Sequence, residues 1–177
     1  MLDLLKQRRS IRKYKNEAIE KEKVLKLIHG TLLSPSSRGL KPWEFVIIED
    51  SLVLEKLSQA KPGATFLKNA KLGIVVLGNP EKSDVWIEDT SIASTIIHLL
   101  ATDLGLGSCW IQIRERNYTE TTSAEEYVKQ VLSIPNNLRV LSIISIGYPD
   151  ETKSAYPEQS LSYEKVYLNT YGDQYIK

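Results

Sequence analysis

The hydrophobic positions along this chain alternate between short apolar runs and longer repeats with helical spacing. The apolar runs are rich in Val, Ile and Leu and predict strands over 44–49, 72–77, 108–113 and 139–146. The repeats between them predict helices over 18–33, 51–60, 84–104 and 123–132. Because the predicted strands are apolar on both faces, we expect a layered sheet covered by helices on both faces.

Two of the predicted helices have features that indicate their place in the fold. The 84–104 repeat is apolar around more than half of its circumference, which predicts a largely buried helix. His98 lies within that apolar pattern, so we expect it to be a hydrogen-bonded core residue. The last helix has Ser123 at its N-cap and Glu126 in position for a capping box. His29 lies late in the first helix, where it suits the negative end of the helix dipole.

One domain is the expected organisation for a chain of 177 residues without repeats, low-complexity tracts or a recognisable linker. The segment 150–177 is polar and rich in tyrosine, and it has little core pattern. We therefore expect it to be a C-terminal extension that packs on a partner subunit.

The charge balance and the cysteine content exclude several classes of function. A net charge of +1 offers no broad basic surface for nucleic acid or an anionic membrane. The apolar runs are shorter than the about 20 residues of a membrane helix, and the charged N-terminal residues do not resemble a signal peptide. Cys109 is the only cysteine, which excludes an internal disulfide and a cysteine zinc site. With two histidines, no metal site is expected, and a reducing, cytoplasmic location is favoured.

The strongest candidate for chemistry is a cluster of three arginines around Ser10 near the N-terminus. Guanidinium groups present planar pairs of donors that match phosphate oxygens, and they remain charged at any working pH. Composition alone favours a solvated basic end for Arg8, Arg9 and Arg12. Other segments further along the chain favour an anion-binding site instead.

Taken in order, those segments resemble the motifs of the flavin-dependent nitroreductase family. The segments are Arg8-Arg9-Ser10-Ile11-Arg12-Lys13-Tyr14, Ser34-Pro35-Ser36-Ser37, Lys41-Pro42-Trp43-Glu44-Phe45, Leu104-Gly105-Leu106-Gly107-Ser108-Cys109-Trp110-Ile111 and Ser145-Ile146-Gly147-Tyr148-Pro149. The resemblance implies an α+β fold in an intertwined homodimer, with FMN bound at the subunit interface. It also implies ping-pong chemistry, in which NADH or NADPH delivers hydride to flavin N5 and a nitroaromatic, quinone or similar small molecule then accepts electrons.

The resemblance assigns cofactor-binding roles to particular residues. Arg8 and Arg12 would contact the phosphate or the polar edge of the ring, with Arg9 and Ser10 beside them. Lys153 would return to the phosphate, and Lys165 is the weaker alternative. The segment that would come from the other subunit contains Pro35, Ser36, Ser37 and Gly39.

Two positions depart from the family pattern, and one strand is expected to lie over the ring. Gly39 stands where relatives often have asparagine, which removes a side-chain donor, and Lys41 stands where many have glutamine. The strand over the flavin would contain Trp110, Ile111 and Gln112, with the backbone amides of Gln112 and Ile113 near N5 and O4. Each of these assignments has a purely structural alternative: Ser36 and Ser37 only end a helix, Trp110 only packs in the core, and Lys153 is solvated.

No side chain stands out as a catalytic acid or base, which agrees with chemistry carried by a cofactor. We expect Cys109 to be a buried packing residue because no histidine pairs with it in the sequence. Three functions remain open: an FMN-dependent NAD(P)H oxidoreductase, an enzyme of the same fold that performs reductive dehalogenation or flavin fragmentation, and a non-catalytic flavin-binding protein. The second usually needs a lid, and 114–122 is short for one. In the third, Arg114, Glu115 and Arg116 would close the pocket.

Overall fold

The computed structural model describes residues 1–175, which form five α-helices and four strands. The helices are α1 (Leu2–Gln7), α2 (Lys21–Leu32), α3 (Ser51–Leu57), α4 (Trp86–Asp103) and α5 (Ala124–Leu132). The strands are β1 (Trp43–Ile48), β2 (Leu72–Gly78), β3 (Gly107–Gln112) and β4 (Arg139–Gly147). Each predicted strand is present with its ends shifted by one residue at most. Helix α1 was not predicted.

The four strands form one sheet in the order β1-β2-β4-β3, and every neighbouring pair is antiparallel. Strand β2 is buried on both sides because its side chains alternate between two cores. Leu72, Ile74 and Val76 pack in the core under α2 and α4. Val75 and Leu77 pack in the core under α3 and α5. The prediction of a layered sheet with helices on both faces is therefore confirmed.

The helix ends follow local sequence signals. Ser123 caps α5, and the reciprocal bonds of the capping box with Glu126 are both present, as predicted. Helix α2 begins at Lys21 because Glu20 is extended, so the predicted start at residue 18 was too early. Helix α4 is mostly covered, but Ile92 on its outer face is 42% exposed.

The segment from Ser10 to Lys15 lies against the ends of β3 and β4 because two glycines leave room for it. Ile11 donates its N–H to the carbonyl of Ser108 at 2.9 Å. A Cβ on Gly107 would lie 2.7 Å from Ile11 Cγ2, and one on Gly147 would lie 2.9 Å from Tyr14 Cδ1. Any larger residue at either glycine would therefore push this segment away from the sheet.

Glu125 of α5 fixes that helix to the start of β4. Its carboxylate accepts from Arg139 Nε and Nη2 at 2.7 and 2.8 Å, and from the Val140 N–H at 3.0 Å. Burial raises the pKa of Glu125, but the bonds from Arg139 and Val140 outweigh that effect, and the net pKa is lowered. The carboxylate form is therefore the one that stabilises the fold.

We expect Glu125→Ala to lower the free energy of unfolding by about 2 kcal/mol, because it leaves the Val140 N–H and Arg139 without their acceptor. The Arg139 side chain is 46% exposed and can be hydrated in the variant, so the loss of unfolding free energy is smaller than for a fully buried ion pair. Urea unfolding at neutral pH measures it, with the exposed Glu120→Ala as control. Since the folded pKa is lowered, the stabilisation is lost as pH falls through it. A difference between wild type and Glu125→Ala that persists in acid would contradict this account.

The segment after β4 lies on the surface, and none of residues 150–175 is buried. It runs beside α1, where Tyr156 donates its N–H to the Lys6 carbonyl at 3.0 Å. Its end closes on itself, with the Tyr175 N–H 3.0 Å from the Val166 carbonyl. Several of its apolar side chains are more than two-fifths exposed: Tyr156, Leu161, Tyr163, Val166, Leu168, Tyr171 and Tyr175. Packing of this extension on a partner stays a prediction, and residues 176–177 of it lie outside the described range.

Candidate functional site

Arg8 and Arg12 are the two arginines whose guanidinium groups have no hydrogen-bond or ion-pair acceptor within residues 1–175. The sequence contains seven arginines, and the other five each have an acceptor. Arg8 is half-buried next to α4, and Arg12 lies with its guanidinium carbon 5.8 Å from the Phe66 ring centroid. A guanidinium without an internal acceptor is suited to an external anion, whether it is half-buried like Arg8 or exposed like Arg12.

Arg9 contacts the C-terminal extension. Its guanidinium donates to the Ser154 carbonyl and lies 4.3 Å from the ring centroid of Tyr156. Arg9 thus has an acceptor within its own chain, and its place in the cofactor site stays a prediction.

Lys153 lies next to the arginine segment, and its contact with a phosphate stays a prediction. Its ammonium donates to the carbonyl of Ser10. Lys165 instead lies in the short turn Tyr163–Lys165 of the extension. Of the two candidate lysines, only Lys153 is close to the arginines.

Glu151 contacts both the arginine segment and Lys153, although no motif in the sequence indicated this residue. Its Oε1 accepts the backbone N–H groups of Arg12 at 2.6 Å and Lys13 at 3.2 Å. It also lies 3.7 Å from the ammonium of Lys153. The bond from the Arg12 amide, ahead of the opposing effect of partial burial, lowers the pKa of Glu151, so the side chain is a carboxylate at neutral pH.

Two buried titratable groups near the arginine segment, His98 and Cys109, are uncharged at neutral pH. His98 of α4 is 6% exposed and shares a 2.7 Å hydrogen bond between its Nδ1 and Ser108 Oγ, which confirms the predicted core role. Burial, assisted by the charge of Arg8, lowers the pKa of His98 to about 4. Cys109 is buried, and that burial raises its pKa, so it is a packing residue as predicted. Neither group supplies a charge at neutral pH.

The outer edge of β3 is open beyond its contact with Ser10, over the part of the chain that the structure describes. Amides along an antiparallel strand point alternately to each side. The Ile113 N–H donates to the Leu141 carbonyl of β4 at 3.1 Å, so the Gln112 N–H points to the open edge. Of the two amides predicted near the flavin, Ile113 is already bonded within the sheet and Gln112 remains. The Gln112 side chain is used to accept from Trp110 Nε1 at 2.9 Å.

The serine segment is fixed to the other end of α4. Asp89, which is buried, accepts the Ser37 N–H at 2.8 Å. Ser36 Oγ accepts the Lys41 N–H at 2.8 Å, which closes the turn. Arg38, Gly39 and Lys41 have positive φ angles of 54°, 67° and 48°. Glycine suits the left-handed backbone at 39.

One chain does not bring the serine segment and the arginine segment together. Ser37 contacts Asp89 near the start of α4, whereas Arg8 lies by His98 near its end. Those two positions are about 13 Å apart along the helix axis at 1.5 Å per residue. Ser36 and Ser37 therefore lie away from Arg8, Arg12 and Lys153 of the same chain.

Known proteins resemble this chain in sequence and in fold. The nitroreductase family model matches residues 5–148. A solved structure described as an FMN-dependent nitroreductase of Clostridium difficile R20291 is 50% identical, covers 97% of this chain and 100% of its own, and has a TM-score of 0.95. A protein of Archaeoglobus fulgidus provisionally named NADH dehydrogenase/NAD(P)H nitroreductase is 36% identical over 159 residues, which is 88% of each chain. An iodotyrosine deiodinase of Thermotoga neapolitana is 24% identical over 91% of this chain and 95% of its own.

The antiparallel sheet between two helical layers, with a cationic segment on its β3 edge, defines an oxidoreductase with the nitroreductase fold. The chain belongs to the nitroreductase family. Among residues 1–175, no helix is long and apolar enough to cross a membrane. No cluster of three or more potential metal ligands occurs in the same range.

Proposed function

We propose that this protein is an FMN-dependent oxidoreductase that takes electrons from NADH or NADPH and passes them by a ping-pong mechanism to a nitroaromatic, quinone or similar acceptor. The observation that carries the proposal is the pair of guanidinium groups, Arg8 and Arg12, that have no acceptor within residues 1–175. Lys153 lies beside the same segment. Three cations on or beside one short segment suit a phosphate monoester.

The open edge of β3 supports the orientation of the cofactor. Ser108 touches the arginine segment and Gln112 ends the strand, so the edge between them is about 13 Å long at 3.3 Å per residue. We place the phosphate at the Ser10 end and the ring near the outward amide of Gln112. When bound, FMN supplies the redox chemistry, and the protein binds it, orients it and provides the amide donor.

A homodimer would complete the site. The nitroreductase family is typically dimeric, and the serine segment of this chain lies far from its own arginines. We therefore assign Pro35, Ser36, Ser37 and Gly39 to the cofactor site of the partner subunit. The exposed apolar side chains of the C-terminal extension favour the same assembly.

The loop between β3 and α5 favours reductase chemistry over a reaction that needs a large lid. Arg114 pairs with Glu115 at 2.6 Å, and Tyr118 donates its N–H to the Thr122 carbonyl at 3.0 Å. An antiparallel bridge between Asn117 and Ser123 closes the loop on itself. Residues 114–122 thus form a compact turn with little length left to cover a substrate. The similarity to a deiodinase makes iodotyrosine a necessary member of any acceptor panel.

Anaerobic stopped-flow spectroscopy with each nucleotide tests the proposal. We expect purified protein reconstituted with FMN to be yellow, to bleach on addition of NADH or NADPH, and to regain colour with a nitroaromatic or quinone. Its mass in solution should be twice the chain mass of 20.1 kDa. Bound FMN that neither nucleotide bleaches would favour a non-catalytic flavin-binding protein. Failure to bind FMN, or a strictly monomeric protein with bound FMN, would contradict the proposed site.

A further inference from the structure

We propose that Glu151 is the positioning residue of the phosphate end of the site. This role rests on the proposed FMN function. The carboxylate of Glu151 fixes the backbone that carries Arg12 and holds Lys153 beside the same segment, so that both cations address one phosphate.

The contacts of Glu151 place it at the junction of three parts of the site. One oxygen accepts the adjacent amides of Arg12 and Lys13 at 2.6 and 3.2 Å. The same oxygen lies 3.7 Å from the Lys153 ammonium, which also donates to the Ser10 carbonyl. The carboxylate therefore adds two backbone acceptor bonds, at Arg12 and Lys13, to the other contacts between this segment and the loop after β4, which include the Asp150 N–H bond to the Lys13 carbonyl at 2.9 Å.

A carboxylate near a phosphate site needs a reason, because like charges repel. The charges around the site provide one. Arg8, Arg12 and Lys153 are positive and Glu151 is negative, so these four groups carry a net charge of +2. A phosphate monoester carries about −1.5 to −2 at neutral pH, which this net charge balances. Glu151 can thus hold the two amides without leaving the site short of positive charge.

Arg8 does not depend on Glu151. Its backbone N–H donates to the Leu4 carbonyl at 2.9 Å, which ties it to α1. Arg12, in contrast, is exposed, and among residues 1–175 its own amide is held by Glu151 alone. Loss of Glu151 would therefore loosen the Arg12 backbone and leave Lys153 with only its bond to the Ser10 carbonyl, while Arg8 stays in place. The expected defect is specific to the phosphate and spares the ring end at Gln112.

Three substitutions separate positioning from charge and from general stability. Glu151→Ala removes the acceptor, Glu151→Gln keeps an acceptor without the charge, and Glu151→Asp keeps the charge on a side chain too short to reach both amides. The control is Glu158→Ala, another acid of the extension, which pairs with Lys6 at 3.4 Å. For each protein, flavin fluorescence titration gives the Kd for FMN and for riboflavin, which lacks the phosphate.

We expect Glu151→Ala to weaken FMN binding about 10- to 100-fold and riboflavin binding less than about twofold. Glu151→Gln should bind FMN more tightly than Glu151→Asp, and Glu158→Ala should match wild type. Equal losses for FMN and riboflavin, an unchanged FMN Kd in Glu151→Ala, or tighter FMN binding by Glu151→Asp than by Glu151→Gln would each overturn the role. If Glu151→Ala does not fold, the comparison of Gln with Asp decides. A wild-type protein that does not prefer FMN to riboflavin would overturn the proposed function itself.

Discussion

Replacing Arg8 and Arg12 together with alanine is expected to weaken FMN binding about 100- to 10,000-fold, because each charge-assisted contact to phosphate contributes about 1.5–3 kcal/mol. Neither guanidinium has an acceptor within residues 1–175, so their removal breaks no internal hydrogen bond or ion pair in that range. The far-ultraviolet circular dichroism and the urea midpoint should therefore stay close to wild type. Fluorescence titration with FMN measures the effect.

The matched control removes two positive charges elsewhere. Lys26 pairs with Glu22 on the surface of α2, and Lys56 lies exposed on α3. Lys26→Ala/Lys56→Ala should bind FMN within about twofold of wild type, since exposed charges outside the site are screened by salt. Riboflavin affinity should change little in either double variant. An FMN affinity that is unaltered by loss of Arg8 and Arg12 would remove the basis of the assignment.

Gly107→Ala combined with Gly147→Ala is expected to destabilise the protein by about 2–6 kcal/mol, at about 1–3 kcal/mol for each overpacked position. Each new methyl group would meet the backbone-proximal atoms of Ile11 or Tyr14, which cannot move aside as a flexible chain end would. The arginine segment must then shift from the sheet, so FMN affinity should fall as well. Urea unfolding and FMN titration on the same samples measure the two effects.

Gly63→Ala separates loss of stability from loss of the site. Gly63 lies in a turn with a φ of 82°, and no atom lies within 4 Å of the place that a Cβ would occupy, so alanine adds backbone strain without a clash. That strain costs about 1–2 kcal/mol. We expect lower stability and normal FMN affinity in Gly63→Ala. Normal FMN affinity in the double glycine variant would show that the arginine segment does not depend on close contact with the sheet.

The regular elements could be predicted because their signals are local. Apolar runs of β-branched residues located all four strands, and the capping residues Ser123 and Glu126 located the start of α5. Strand order could not be read in the same way, since pairing depends on contacts between distant segments. Helix α1 was missed because it has only six residues and contains no buried side chain.

The candidate site was predicted through motifs, and motifs do not encode the contacts that each of its residues makes within the chain. Arg8, Arg9 and Arg12 have the same side chain, yet among these three only Arg9 contacts the Ser154 carbonyl and the Tyr156 ring. The amide of Ile113 looked equivalent to that of Gln112 until strand pairing gave it a partner. Glu151 was overlooked because a carboxylate that serves backbone amides has no pattern of its own.

The segment that carries the arginines has its main partners far away in the chain. Arg12 and Glu151 are separated by 139 residues in the sequence. Ile11 and Ser108, which share a backbone hydrogen bond, are also far apart in the sequence. Contacts of such wide sequence separation form late in folding, because the intervening loops must close first. During synthesis, the arginine segment must therefore wait for partners that are made much later. In a refolding experiment, the quenching of added FMN should lag behind the recovery of secondary structure.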